Sequence, residues 1–138
     1  MPNIERFAFS EVEPSVGTAS LLPYLPLTLI NGTTQIGVSC LLDTGSTVNV
    51  MPYNIGLQLG AVWNKQTIPI TLSGSLADLE ARALLVSARV GGFDPVRLIF
   101  AWTQSDDAPL LLGQVNFFME FDVYFSRSRS FFEVQPKK

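Results

Sequence analysis

From Leu25 onward the chain runs as short apolar stretches, each cut off within about ten residues by glycine, proline, asparagine or a small polar cluster. Such stretches are too short for packed helices, and turn signals at this spacing favour an all-β domain. Leu27-Thr28-Leu29-Ile30, then Asn31-Gly32, then Ile36 to Leu42 reads as a hairpin, because Asn-Gly readily takes the positive φ angles of a tight turn. Ile68 to Leu72 and Leu79 to Val90 read as two more strands around the small turn Ser73-Gly74-Ser75. Leu79 to Leu85 contains good helix formers, but side chains alternate through Ala83, Leu85 and Ser87, and Gly91-Gly92 leads straight into the β run Val96 to Trp102, so strand is favoured. Next come Leu110-Leu111-Leu112-Gly113, a short helix expected over Gln114 to Met119, and closing strands at Phe121 to Phe125 and Phe131 to Val134. Residues 1–20, with Pro2, Pro14, Gly17 and several charges, read as an irregular arm ahead of a domain over residues 21–138. At 138 residues the chain suits one core that buries roughly two thirds of its unfolded surface.

Composition narrows the chemistry. The absence of histidine excludes a Ser-His-Asp or Cys-His relay, a histidine-bearing zinc site and imidazole acid-base work. A single cysteine, Cys40, excludes a disulfide within the chain. The net charge of −3 and dispersed basic residues disfavour a nucleic-acid groove. Met1 to Arg6 does not read as a secretion signal, and the most apolar window, Leu21 to Ile30, is broken by Pro23 and Pro26 and is too short to span a bilayer. The expectation is a soluble, cytoplasmic protein without a membrane or nucleic-acid partner. Any acid-base groups would then be carboxylates, with no cofactor and no metal.

One carboxylate stands apart. Of the fifty-one residues between Glu13 and Lys65, Asp43 alone is charged. It follows the apolar stretch Val38-Ser39-Cys40-Leu41-Leu42 and precedes Thr44-Gly45-Ser46. With no cation nearby in sequence, an ionised group there must be stabilised by hydrogen bonds or change its pKa, which makes it a functional candidate. The plainer reading is a turn in which aspartate bonds its own backbone. Against it, Asp-Thr-Gly-Ser/Thr arises by chance in a chain of this length well under about 1% of the time.

Leu41-Leu42-Asp43-Thr44-Gly45-Ser46-Thr47 resembles the active-site segment of aspartic proteases, and the order of parts resembles the retropepsin-like family. Pro26 to Gly32 is similar to the hairpin that precedes the catalytic loop there, Ser73-Gly74-Ser75 stands where the flap would be, and Leu111-Leu112-Gly113 with its helix resembles the second apolar-apolar-Gly element. The resemblance covers about Pro26 to Phe125. It implies a closed β-barrel of acid-protease type with one short C-terminal helix, and an endopeptidase in which two carboxylates share a proton to activate water. No other aspartate here is followed by Thr/Ser-Gly, so the active form would be a homodimer with one Asp43 from each chain.

By position, Thr44 would interlock with its symmetry mate, Gly45 would permit close backbone approach and Ser46 would donate to the outer oxygen of Asp43, lowering the first pKa and moving the optimum toward acid. Ser73, Gly74, Ser75 and Leu76 would close over an extended polypeptide that adds as a strand. Val48, Val50 and Ile99 are either pocket walls or ordinary core. Viral retropepsins carry acidic residues after Asp-Thr-Gly and an arginine after the second glycine; here Thr47, Val48, Asn49 and Gln114 are uncharged, which resembles cellular or bacterial members more. The aromatic group Phe117-Phe118, Phe121, Tyr124, Phe125 and Phe131-Phe132 reads as core, with Phe131 to Val134 alternatively lending strands to a dimer. Two further readings compete: a catalytically silent dimerisation or peptide-binding module on the same fold, and, more weakly, a cation site at Asp106-Asp107, for which a solvated loop is the simpler account.

Overall fold

The computed structural model describes residues 3–11 and 21–137. In chain order the elements are β1 (Glu5–Ala8), β2 (Tyr24–Asn31), β3 (Thr34–Leu42), β4 (Asn49–Met51), α1 (Tyr53–Gln58), β5 (Pro69–Ile70), β6 (Ala81–Arg89), β7 (Val96–Thr103), β8 (Leu111–Leu112), α2 (Phe117–Glu120), β9 (Phe121–Ser126) and β10 (Phe131–Pro136). Neighbouring strands follow the order β2-β3-β8-β4-β7-β6-β5, and β2 also pairs with β6, so six of them close a barrel from which β5 branches. Closure leaves few open edges. A second sheet, β1-β10-β9, packs its inner face against the barrel.

The β2–β3 hairpin forms as expected, with a shift in its turn. Asn31 is the last residue of its strand, opposite Thr34, and only Gly32 of the two loop residues has a positive φ (60°), as a Gly-first two-residue turn requires. Asn31 instead spends its amide on the Leu59 carbonyl at 2.8 Å. β6 and β7 are the strands read from sequence and pair from Ala81↔Thr103 to Ala88↔Val96, the whole of β7 and all of β6 but Arg89.

The main core gathers alternate side chains of these strands around Trp102, Phe100, Phe117, Phe121 and Phe132, all fully buried. Phe117 stacks on Phe121 at 5.0 Å and Phe7 on Phe132 at 5.4 Å, so Phe117, Phe121 and Phe132 are core, with Phe118 and Phe125 packed against it; Tyr124 is exposed and Phe131 lies outside the core. The strand-lending alternative for Phe131 to Val134 does not fit: β10 already has β1 on one side and β9 on the other. A smaller apolar cluster, Val50, Leu72, Ala81, Ala101, Ala108 and Leu111, lies apart from the main core.

Four expectations change. Glu5–Ala8, assigned to an irregular arm, is a strand because β10 offers it an edge; residues 12–20 of that arm lie outside the described residues. The strand expected over Ile68 to Leu72 shortens to Pro69–Ile70, since Leu72 turns inward to bury itself in the smaller cluster. The helix expected from Gln114 begins at Phe117, because the backbone N–H groups of Gln114 and Val115 are first taken up by the Asp43 loop. A helix that the sequence reading lacked, α1, lies against β7, where Tyr53 stacks on Trp102 at 5.6 Å and accepts its indole N–H at 3.2 Å. Among the described residues no helix is long and apolar enough to cross a membrane.

Candidate active site

Asp43 directly follows β3, and the route from β3 to β4 explains its position. These two strands are consecutive in the chain but not adjacent in the sheet: β8 lies between them, parallel to β3 (Leu41↔Leu111, Leu42↔Leu112) and antiparallel to β4 (Val50↔Leu111). The loop 43–48 must therefore cross the end of β8, and the Asp43 N–H bonds the Leu112 carbonyl at 2.9 Å where it does so. Gly113 makes the crossing possible. A Cβ at that position would collide with the carbonyl oxygens of Val48 and Ser46.

Past β8 the chain laces itself to the loop. Gln114 N–H donates to Ser46 O and Val115 N–H to Thr47 O, both at 2.9 Å, and Asn49 N–H donates to Val115 O at 2.9 Å. The Gln114 side-chain amide donates to Thr44 O at 2.8 Å. Asn49, fully buried, accepts from Gly113 N–H through Oδ1 at 2.8 Å and donates through Nδ2 to Ile99 O at 3.0 Å and Asn116 Oδ1 at 3.2 Å. Neutral amides thus hold the loop that carries Asp43. Sequence reasoning noted that Asn49 and Gln114 were uncharged without finding this role; the available signal was a polar residue, Asn49, flanked by Val48, Val50 and Met51.

The carboxyl of Asp43 is half-buried, and its Oδ1 accepts the Gly45 N–H at 3.0 Å. Oδ2 has no protein partner among the described residues. Thr44, Gly45 and Thr47 are exposed. Ser46 departs from expectation: its hydroxyl donates to Val48 O at 2.7 Å, so its one proton is directed at the loop backbone rather than at Asp43.

A cleft of about 600 Å³ opens beside Asp43, lined by Leu41, Gly45, Ser46, Pro109, Leu111 and Asp107 and, on its far side, by Ser73, Gly74, Ser75 and Leu76. The motif residues and the segment expected to be a flap therefore face one space. That segment is not a tight hairpin: residues 71–80 form a loop with a single 3-10 turn, Gly74–Leu76. Val48 and Val50 do not line the cleft; Val50 is 1% exposed and packs in the smaller cluster with Val48 against it. Ile99 is 40% exposed and also lies outside the cleft lining. Among the described residues no group of three or more His, Cys, Asp or Glu side chains is arranged to hold a metal ion, and the Asp106 carboxylate caps the start of α1 by accepting the Asn54 N–H at 2.9 Å.

The barrel, the crossing loop over β8 and the cleft beside Asp43 define the retropepsin-like fold. The crystal structure of a retropepsin-like aspartic protease from Rickettsia conorii superposes with a TM-score of 0.65 and 12% sequence identity, covering 96% of this chain and 92% of that one. At that identity the likeness is one of fold. No protein-family model and no curated protein matches the sequence.

Proposed function

We propose that this chain is one half of a homodimeric aspartic endopeptidase. The observation that carries the reading is the position of Asp43 within Asp-Thr-Gly-Ser: on a partly exposed loop that lines a cleft of about 600 Å³, facing residues 73–76 across it, on a retropepsin-like fold.

The chemistry needs a second carboxylate, and the chain supplies one such motif, so the partner is a second copy. With the two Asp43 carboxyls adjacent, like-charge repulsion leaves one proton shared between them. The ionised carboxylate takes a proton from water, the water oxygen attacks the peptide carbonyl carbon, and the protonated carboxyl gives its proton to the carbonyl oxygen. Breakdown of the tetrahedral intermediate returns a proton to the leaving nitrogen. Gly45 N–H on Oδ1 fixes the carboxyl plane and leaves Oδ2 available for that transfer. Residues 73–76 cover the peptide and exclude water.

Cleavage of an unbiased peptide library across pH, with Asp43→Asn as control, tests the reading. Expected are cleavage by the wild type, loss of at least about a thousandfold in kcat in the variant, and a dimer mass in solution. Cleavage that survives Asp43→Asn, or a strict monomer that still cleaves, would refute the shared dyad. A dimer that binds extended peptides without cutting them would favour the silent module.

A further inference from the structure

We infer that Asp107 makes this cleft selective for a basic substrate side chain, an inference that rests on the endopeptidase reading. Among the described residues, Asp43 and Asp107 are the charged ones that line the cleft, and no lysine or arginine joins them. A peptide lying there meets two carboxylates and no cation to neutralise them.

The two neighbouring aspartates have different surroundings. Asp106 is committed to the Asn54 N–H. The carboxylate of Asp107 is exposed and has no hydrogen bond or ion pair among the described residues. Its backbone is nevertheless held in place: Asp107 N–H donates to Ser105 Oγ at 3.2 Å, and Ser105 N–H donates to the hydroxyl of fully buried Thr103 at 3.2 Å. The free carboxylate therefore projects from an anchored turn rather than from a loose loop.

Its neighbours in the cleft are apolar. Leu41, Leu76, Pro109 and Leu111 provide a surface suited to a chain of methylenes, with Asp107 as the one anionic group beyond the dyad. Lysine and arginine match that combination, since their stems cover apolar surface while the head stays charged. A glutamate at the same place would face like charge with no counter-ion.

Symmetry sharpens the expectation. In a homodimer the two-fold axis passes between the paired Asp43 residues and creates two Asp107 subsites. The basic preference should then fall at matching distances on both sides of the scissile bond.

The test profiles the full chain and two variants, Asp107→Asn and Asp107→Lys, on peptides carrying Lys, Gln, Met or Glu at each position around the cut. The wild type should favour Lys over Met by about tenfold in kcat/KM at the matched positions, mainly through KM, and high salt should reduce the ratio. Asp107→Asn should bring the ratio near unity, and Asp107→Lys should turn it toward Glu. Cleavage without a basic preference, or with one that persists in Asp107→Asn, overturns this inference and leaves the endopeptidase reading standing. If the wild type cuts no peptide of the set at any pH, the endopeptidase reading fails and this inference falls with it.

Discussion

The two sides of the cleft are held in different ways. On one side, residues 44–49 are joined to Gly113, Gln114, Val115 and Asn116 by backbone and amide hydrogen bonds, with buried Asn49 tying β4, β7 and the chain past β8 together. On the other, among the described residues, the backbone of residues 71–80 bonds only within itself: Leu76 to Ser73 at 3.3 Å, Ala77 to Gly74 at 3.2 Å and Leu79 to Leu76 at 3.0 Å. What anchors that segment is apolar, with Leu72 buried and Leu76 and Leu79 packed against the same small cluster. Directional bonds fix a geometry, whereas apolar contacts let a segment shift while it stays attached. The carboxyl side is thus a hydrogen-bonded floor, and the far side, held by apolar contacts, is the side that would act as a cover on the endopeptidase reading.

That contrast can be broken first at Gly113. Gly113→Ala forces a Cβ into the carbonyls of Val48 and Ser46, and backbone is the least yielding of neighbours. The expected result is a loss of about 4 kcal/mol in chemical denaturation, or no folded protein, together with loss of cleavage. Asn49→Ala comes next. It strips a partner from the buried Gly113 N–H and from the partly buried Ile99 carbonyl, so a loss of about 3 kcal/mol is expected. On the endopeptidase reading, any folded remainder should show a lower kcat with KM little changed, because the floor would then position the reacting carboxyl. A variant with wild-type kcat would show that the amide network is scaffolding alone.

On the cover side the same class of change should behave in the opposite sense. Gly74 has φ +63° and open space where a Cβ would go, so Gly74→Ala meets backbone strain without collision. About 1 kcal/mol is expected in local conformational energy, with little change in the global unfolding midpoint. The effect should appear in KM, rising severalfold as the closed position of residues 73–76 becomes harder to reach. Equal losses of stability at Gly74 and Gly113 would erase the distinction between floor and cover.

How much of this was legible beforehand follows the range of the interactions. The β2–β3 hairpin and the strands β6 and β7 were readable because their pattern is local: alternation along the strand and glycine at the turn. Asp43 stood out as a candidate twice over, from its motif and from its isolation among uncharged residues, and the structure places it on the lining of the cleft. The helix α1 was not, since it carries Gly56 in its interior and owes its place to packing on Trp102, far along the chain. Nor was the role of Asn49, whose partner Gly113 is 64 residues away and whose amide leaves no periodic trace. Ser46 was misassigned because position in a motif says which oxygen is near, not which carbonyl competes for the proton.

The gentlest probe of the comparison is Cys40, on β3 just before Asp43. Its side chain is completely buried, and burial pushes the thiol pKa well up from its ordinary value. Below about pH 8.5 the thiol is protonated whether the chain is folded or not, and its contribution to stability is intact. As pH rises above that, the unfolded chain gives up the proton while the folded one keeps it, so stability falls by up to about 1.4 kcal/mol per pH unit. Cys40→Ala should remove that slope, measured by denaturation between pH 8 and 10. The same burial should make Cys40 nearly inert to a thiol reagent at neutral pH, whereas a cysteine placed in the cover by Ser75→Cys, in a Cys40→Ala background, should label at close to the free-thiol rate. Similar labelling rates at the two places would mean that the floor opens as readily as the cover, and the hydrogen bonds around Asn49 would then not be what holds Asp43 in place.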